Sequence, residues 1–196
     1  MTTRRIVVAI SGASGAIYGV RLLEVLAADP TIETHAIISR GAAATIDYET
    51  DRRVEDVAAL ADVAYDETDL AATLASGTYL TDGMVVAPCS IRTLSSIATS
   101  HNDNLIVRAA DVHLKERRPL VLMVRETPFH LGHLRLMTDV TAAGAIVLPP
   151  VPGFYTRPTP IADLVDHSVG KALDALRIEH QLFERWARIA RARDLD

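Results

Sequence analysis

Short apolar runs alternate with segments of helical periodicity along this chain of 196 residues. The first run, residues 5–10, is apolar and β-branched after its first position, which is typical of a strand covered on both faces. It ends in the small-residue turn 11–15, and apolar side chains then recur at helical spacing from Ile17 to Leu26. A strand, a tight turn and a helix leave backbone N–H groups free at the helix N-terminus, where an anion can bind. Alternatively, the small residues only allow close helix–sheet packing, and their spacing is not that of the G-x-G-x-x-G motif.

The same patterning predicts the remaining elements. Further strands are predicted at 33–39, 83–87, 119–124 and 145–148, and further helices at 41–48, 54–61, 66–74, 93–99, 105–117, 130–143, 161–176 and 179–193. Strands that alternate with helices indicate βαβ units and a doubly wound parallel sheet of the α/β class. The chain shows no repeat, low-complexity stretch or linker, so we expect a single domain over 1–196.

Four segments follow predicted strands and should meet at one edge of the sheet, because ligands of such sheets bind outside the carboxyl ends of the strands. These segments are 12–15, 39–40, 88–93 and 125–128. Ser39 and Ser90 offer hydroxyls for a phosphate or a polar ring edge, although either serine alone is more simply a helix N-cap. Arg125 and Glu126 directly follow a buried strand, and a carboxylate among cations can act as a general acid or base for a bound phosphate.

Composition narrows the class of protein. A net charge of −5 and a pI near 5.8 argue against general nucleic-acid binding. The single cysteine, Cys89, excludes an internal disulfide, and its apolar surroundings favour a small buried residue over a nucleophile. The first strand starts close to the N-terminus and no apolar run reaches membrane-spanning length, so the expected location is the cytoplasm.

Several other polar residues have both a structural and a chemical interpretation. His130 and His133 are spaced i, i+3, but no third ligand accompanies them, so no metal site is expected. His35 alternates within a strand and is most simply structural. Tyr155 lies in a rigid loop rich in proline and glycine, 151–160, which is suited to closing a pocket. Trp186 is expected to pack with its apolar neighbours.

An ordered set of motifs resembles the UbiX flavin prenyltransferases. The motifs are SGASGAIYG at 11–19, ETD at 49–51, PCS at 88–90, RAADV at 108–112, LKERRPLVL at 114–122, RETP at 125–128 and GFY at 153–155. The resemblance implies a Rossmann-like, flavodoxin-type fold and a homododecamer with active sites at subunit contacts. It also implies that dimethylallyl monophosphate alkylates reduced FMN at N5 and C6 without a metal. The prenylated FMN would then serve UbiD-type decarboxylases, as in ubiquinone biosynthesis.

The resemblance also implies roles for individual residues. FMN would be held by Gly12, Ala13, Ser14, Ser39, Ser90, Ile91, Arg92, Thr93 and Arg125. The prenyl phosphate would be surrounded by Arg108, Lys115, Glu126, Tyr155 and Lys171. The catalytic residues would be Ser14, Glu49, Lys115 and Glu126, with Ser14 and Glu49 near flavin N5.

Three features depart from the family pattern. Position 171 is Lys where many relatives have Arg, so a point charge replaces a bidentate fork. The segment 62–82 is short and lacks a tryptophan that some members carry there, and the basic tail 188–193 has no assigned role. Two alternatives are a peptidyl-cysteine-type decarboxylase and a non-catalytic FMN-binding accessory subunit. The first normally uses a histidine in the region that corresponds to 48–69, where this chain has none.

Overall fold

A six-stranded sheet forms the centre of the computed structural model, which describes residues 3–186. Its strands are β1 (Arg4–Ile10), β2 (Ile32–Ile38), β3 (Val63–Tyr65), β4 (Gly83–Cys89), β5 (Leu120–Val124) and β6 (Ile146–Val147). The helices are α1 (Ala16–Ala27), α2 (Arg40–Glu49), α3 (Val54–Ala58), α4 (Ile91–Ala98), α5 (Leu105–Lys115), α6 (Leu131–Ala143) and α7 (Ile161–Ala175). The strand order is β3-β2-β1-β4-β5-β6 and all neighbours are parallel, which confirms the predicted α/β class and flavodoxin-type sheet.

Two hydrophobic cores cover the two faces of the sheet. Along β1, Ile6, Val8 and Ile10 pack with α1 and α7, whereas Val7 and Ala9 pack with α4 and α5. Successive side chains of a strand point to opposite faces, so a strand between two helical layers must be apolar at every position. This is why the first apolar run is uninterrupted.

The sequence prediction missed one strand and misplaced one helix. β3 is a three-residue edge strand that pairs with the end of β2. The helix predicted at 66–74 is wrong, since a loop leads there to a 3-10 turn at Thr73–Ala75. The Asp66 carboxylate accepts the Thr68 N–H at 2.7 Å, and the Asp69 carboxylate accepts the Ala71 N–H at 3.0 Å. Such Asx turns compete with helix formation.

The chain after α7 also differs from the prediction. The helix predicted at 179–193 is not formed over 179–185, and residues 187–193 lie outside the described part. Asp174 of α7 instead binds His180 at 3.1 Å and Arg185 at 2.7 Å, which ties the segment back onto the helix. None of the helices between residues 3 and 186 is long and apolar enough to cross a membrane.

Candidate active site

The four predicted segments meet at the carboxyl edge of the sheet. The Ser39 N–H donates to the Ile10 carbonyl at 3.0 Å, which joins the turns after β1 and β2. The Ser11 hydroxyl accepts the Ser90 N–H at 2.8 Å, and the Arg125 N–H donates to the Cys89 carbonyl at 3.1 Å. These bonds connect the ends of β1, β2, β4 and β5, so the predicted convergence is confirmed.

Two glycine backbones in contact shape a groove at this edge. A Cβ atom built on Gly12 would lie 2.9 Å from the Gly41 Cα, so no side chain fits there. The groove has a volume of about 610 Å³. The predicted site residues that line it are Gly12, Ser39, Ser90, Ile91, Arg92, Thr93 and Glu126. The close backbone approach leaves the space above it open to a ligand.

The N-termini of α2 and α4 both face this groove. The Ser39 side chain accepts the Ala42 N–H at 3.0 Å, and the Ser90 side chain accepts the Thr93 N–H at 3.2 Å, so both serines are N-caps. Their hydroxyl hydrogens can still be donated to a ligand. Among the described residues no acceptor is bound to the N–H groups at positions 41 and 91. These positively polarised helix ends can bind an anion.

Glu67 is a groove residue that sequence reasoning missed. Its carboxylate accepts the Arg40 N–H at 2.8 Å, the first N–H of α2. Its carbonyl accepts the Leu105 N–H at 2.7 Å, which anchors the loop before the 3-10 turn beside the groove. Because the surrounding segment was predicted as a helix, no sequence signal directed Glu67 to this edge.

The N-terminus of α1 is bound by a carboxylate of the protein itself. Glu49 Oε2 accepts the Gly15 N–H at 2.7 Å and the Ala16 N–H at 3.1 Å. Burial raises the pKa of Glu49, but hydrogen bonds from Ser14, Gly15 and Ala16 and the charge of Arg125 outweigh it, so the net pKa lies below its ordinary value. The N–H groups of Gly15 and Ala16 are therefore not free to bind an anion from outside the protein. Glu49 is also the last residue of α2 rather than a residue beyond it.

Ser14, Glu49 and Arg125 form one polar cluster. The Ser14 hydroxyl lies close enough to Glu49 to lower the pKa of its carboxyl, and the Arg125 guanidinium donates through Nε to the Ser14 carbonyl at 3.1 Å. Between them and the groove, the Ala13 N–H donates to the Ser11 carbonyl at 2.8 Å and fixes the turn. An ionised carboxylate beside an exposed hydroxyl can accept or relay a proton at this edge.

Glu126 is a half-buried carboxylate of the groove. Its Oε1 accepts the N–H of Thr127 at 2.9 Å, which holds the side chain at the end of β5. Among the described residues no hydrogen bond joins it to the cluster around Glu49, so these two carboxylates have different surroundings.

The four remaining predicted phosphate-binding residues do not line the groove formed by the described residues. Arg108 donates to the Ala75 carbonyl at 3.0 Å and to Asp111 at 3.0 Å. Lys115 is the last residue of α5 and contacts Glu116. It lies near the start of β5, at the edge of the sheet opposite the groove. Lys171 is paired with Asp174 at 3.6 Å. Tyr155 contacts α7 through His167, a neighbour that the sequence analysis did not single out.

Residues with a predicted structural role are found in structural positions. Cys89 is fully buried, and burial raises its pKa to about 12, which confirms the buried thiol. His35 is buried and lies 3.0 Å from both Tyr65 Oη and Glu33 Oε1. His130 caps α6 by accepting the N–H two residues on at 3.0 Å. Across residues 3–186 no three His, Cys, Asp or Glu side chains form a group that could hold a metal.

Comparison with known proteins adds to this geometry. The family model named Flavoprotein matches residues 1–173. The curated flavin prenyltransferase UbiX of Escherichia coli is 55% identical over 185 residues, which cover 93% of this chain and 98% of that protein. A relative so similar over nearly the whole length of both chains shows common membership of one family.

Solved structures agree with that similarity. AnUbiX in complex with FMN and dimethylallyl pyrophosphate is 50% identical with a TM-score of 0.92, over 94% of this chain and 97% of that one. A dodecameric FMN-dependent UbiX-like decarboxylase from Escherichia coli is 44% identical with a TM-score of 0.91, over 93% and 98%. Two cysteine decarboxylases are only 16% and 14% identical, so they share the fold alone. This chain belongs to the UbiX family of flavin prenyltransferases.

Proposed function

We propose that this chain is a flavin prenyltransferase that joins the dimethylallyl group of dimethylallyl monophosphate to N5 and C6 of reduced FMN. The observation that carries the proposal is the cluster of Ser14, Glu49 and Arg125 beside a groove faced by two helix N-termini. The family supports this reading over a cysteine decarboxylase or a non-catalytic accessory subunit. The product would serve a UbiD-type decarboxylase in the cytoplasm, and ubiquinone biosynthesis is one such setting.

The groove fits FMN in shape and in donor chemistry. Contact between Gly12 and Gly41 leaves a cradle that a Cβ would fill, and the ends of α2 and α4 present N–H and hydroxyl donors. The residues that would hold FMN are Gly12, Ala13, Ser14, Ser39, Ser90, Ile91, Arg92, Thr93 and Arg125. Reduced FMN, when bound, supplies the electron-rich ring positions that accept the prenyl group.

The chain's own carboxylates divide the proton chemistry between them. Glu49 is held ionised, so with the Ser14 hydroxyl it can accept a proton at the edge of the groove. Glu126 lies apart, at the end of β5, and in its protonated form it can donate a proton to a departing phosphate. Positioned cations can stabilise the charge that develops on that phosphate.

A single copy does not gather the predicted phosphate-binding side chains at the groove, and we infer that other copies complete the site in a dodecamer. Exposed apolar residues support an assembly. α6 buries only Val140, while Leu131 and Leu134 are 61% and 48% exposed, and Phe154 and Ile161 are 71% and 74% exposed. Apolar side chains exposed in this way favour contact with another copy of the chain. Arg108, Lys115, Tyr155 and Lys171 would then meet the prenyl phosphate at contacts between single-domain subunits.

The decisive experiment is a mass measurement on the flavin. Purified protein is incubated without oxygen with reduced FMN and either dimethylallyl monophosphate or the diphosphate. We expect the flavin mass to rise by one prenyl unit, and the two donors distinguish which phosphate the site accepts. Unmodified FMN after many hours, from protein that binds both ligands, contradicts the proposal.

The assembly has its own test. Leu134→Asp places a charge on the exposed apolar face of α6, and Asp139→Lys, at an exposed position five residues on and therefore on a different side of the helix, serves as the control. Light scattering should show a dodecamer for the parent and the control and smaller species for Leu134→Asp. A parent that is monomeric at micromolar concentration contradicts the inferred assembly.

A further inference from the structure

The loop that carries Tyr155 begins at the same sheet edge as the groove. The Leu148 N–H donates to the Leu122 carbonyl at 2.8 Å, so the chain leaves β6 beside the end of β5. The loop then passes through Gly153 and Tyr155 before α7 begins. Tyr155 is therefore on a segment anchored to the active edge, although it does not line the groove of its own chain.

One histidine of α7 contacts this loop through both ring nitrogens. His167 is only 8% exposed, and its Nδ1 accepts the Gly153 N–H at 3.3 Å. Its Nε2 lies 3.5 Å from the Tyr155 hydroxyl oxygen, at the outer limit of a hydrogen bond. The imidazole thus bridges the loop backbone and the tyrosine side chain.

The contact with Gly153 determines which nitrogen of His167 carries the proton. A backbone N–H can only donate, so Nδ1 must be unprotonated and the neutral ring carries its hydrogen on Nε2. Burial and the charge of Lys171 lower the pKa of His167, which favours the neutral ring near pH 7. Nε2–H then donates to the Tyr155 oxygen. The hydrogen of the Tyr155 hydroxyl remains free to be donated to another acceptor.

Aromatic contacts hold both rings in place. Tyr155 meets Trp186 edge to face with centroids 5.4 Å apart and His167 at 5.9 Å. His167 also packs against Phe183 at 4.9 Å. A Cβ on Gly153 would lie 2.8 Å from the Tyr155 ring, so only glycine permits this packing. The tyrosine ring is supported on two sides, which limits the directions its hydroxyl can take.

We propose that His167 is a positioning residue that fixes the Tyr155 hydroxyl as a hydrogen-bond donor to the phosphate of the prenyl substrate. This inference rests on the proposed function. Lys171 is four residues from His167 on α7 and therefore lies on the same face of the helix. His167 thus contacts Tyr155 and lies one helical turn from Lys171, and both of those side chains are proposed to bind the phosphate.

The test is a double-mutant cycle on the full-length enzyme. His167→Phe keeps a ring but removes both nitrogens, and we expect KM for dimethylallyl monophosphate to rise about tenfold, with kcat changed less than threefold. Tyr155→Phe should have a similar effect, and adding His167→Phe to it should cost less than twofold more, because the histidine acts through the hydroxyl. His167→Gln retains an acceptor and a donor and should restore KM to within threefold of the parent. His101→Phe, the same substitution at an exposed histidine outside this aromatic cluster, is the matched control and should leave KM unchanged.

Several results would overturn the inference. These are an unchanged KM in His167→Phe, a loss confined to kcat, or an equal further loss in the Tyr155→Phe background. If His167→Phe fails to fold, His167→Leu replaces it, and failure of both shows a structural role and refutes positioning. If the parent makes no prenylated flavin, the proposed function fails separately. In that case the affinity of the parent and of His167→Phe for dimethylallyl monophosphate is compared by calorimetry. A tenfold weaker affinity in His167→Phe supports the positioning of Tyr155, and an equal affinity refutes it.

Discussion

Substitution of Glu49 by Gln tests whether this carboxylate stabilises the N-terminus of α1 by its charge. The amide of Gln can still accept the N–H groups of Gly15 and Ala16, so the change removes the charge while keeping the shape. An anion at a helix N-terminus contributes about 0.3–1 kcal/mol, and hydrogen bonds to a charged acceptor exceed neutral ones by a similar amount. Because Glu49 is exposed to solvent, screening reduces the sum, and we expect a loss of about 1 kcal/mol at pH 7.

The pH dependence identifies the source of this loss. The pKa of Glu49 is lowered in the folded protein by its hydrogen bonds, despite the opposing effect of burial. The contribution of Glu49 to the free energy of unfolding is therefore complete at pH values above its ordinary pKa of 4.5. It disappears as the pH falls through the lower pKa of the folded protein. Urea unfolding of Glu49→Gln and the parent should differ by about 1 kcal/mol at pH 7, and this difference should shrink as the pH is lowered below 4.5. Asp47→Asn, an exposed change on the same helix, is the control. An equal loss in the control, or a difference that does not shrink as the pH falls below 4.5, refutes the reasoning.

Three further predictions concern the groove and the core. Gly12→Ala forces a Cβ to 2.9 Å from the Gly41 Cα, so FMN affinity measured by flavin fluorescence should fall at least about tenfold. The control is Gly77→Ala, whose Cβ would meet only the ends of flexible side chains. An unchanged FMN affinity in Gly12→Ala contradicts the proposed cradle. Cys89 should resist iodoacetamide at pH 8 in the folded protein and react once per chain in urea, because burial raises its pKa to about 12; labelling of the folded protein is the opposing result. Burial lowers the pKa of His113 to about 4, so the free energy of unfolding should fall as the pH drops from 6.5 toward 4. Over this range the imidazole of the folded protein should remain neutral, as NMR at about pH 5 can show. A charged His113 ring at about pH 5 contradicts the prediction.

The parallel sheet could be predicted because its central strands must be apolar on both faces, and such runs are unmistakable in the sequence. β3 escaped detection since an edge strand of three residues has no such requirement. The segment that begins at Asp66 has helix-like spacing, but its carboxylates bind nearby backbone N–H groups instead. Local side-chain competition of this kind is not visible in hydrophobic periodicity.

The site could be predicted only as far as strand topology and family resemblance reach. Topology brought the strand ends together, including Ser39 and Ser90, and both serines proved to be N-caps. The bond between Glu49 and Gly15 joins residues 34 positions apart, so no spacing rule indicates it. The same holds for His167, whose contacts depend on how the loop after β6 folds back on α7.

The carboxylate of Glu49, which binds the N-terminus of α1, also gives the groove a direction. Glu49 adds negative charge beside Ser14, whereas the ends of α2 and α4 offer unpaired N–H groups among the described residues. An elongated ligand with one anionic end therefore meets the free N–H groups of positions 41 and 91 at one extremity and the Ser14–Glu49 pair at the other. Of the two ways to insert such a molecule, only one brings its uncharged end toward Ser14. Glu49 therefore favours one orientation of such a ligand over the other.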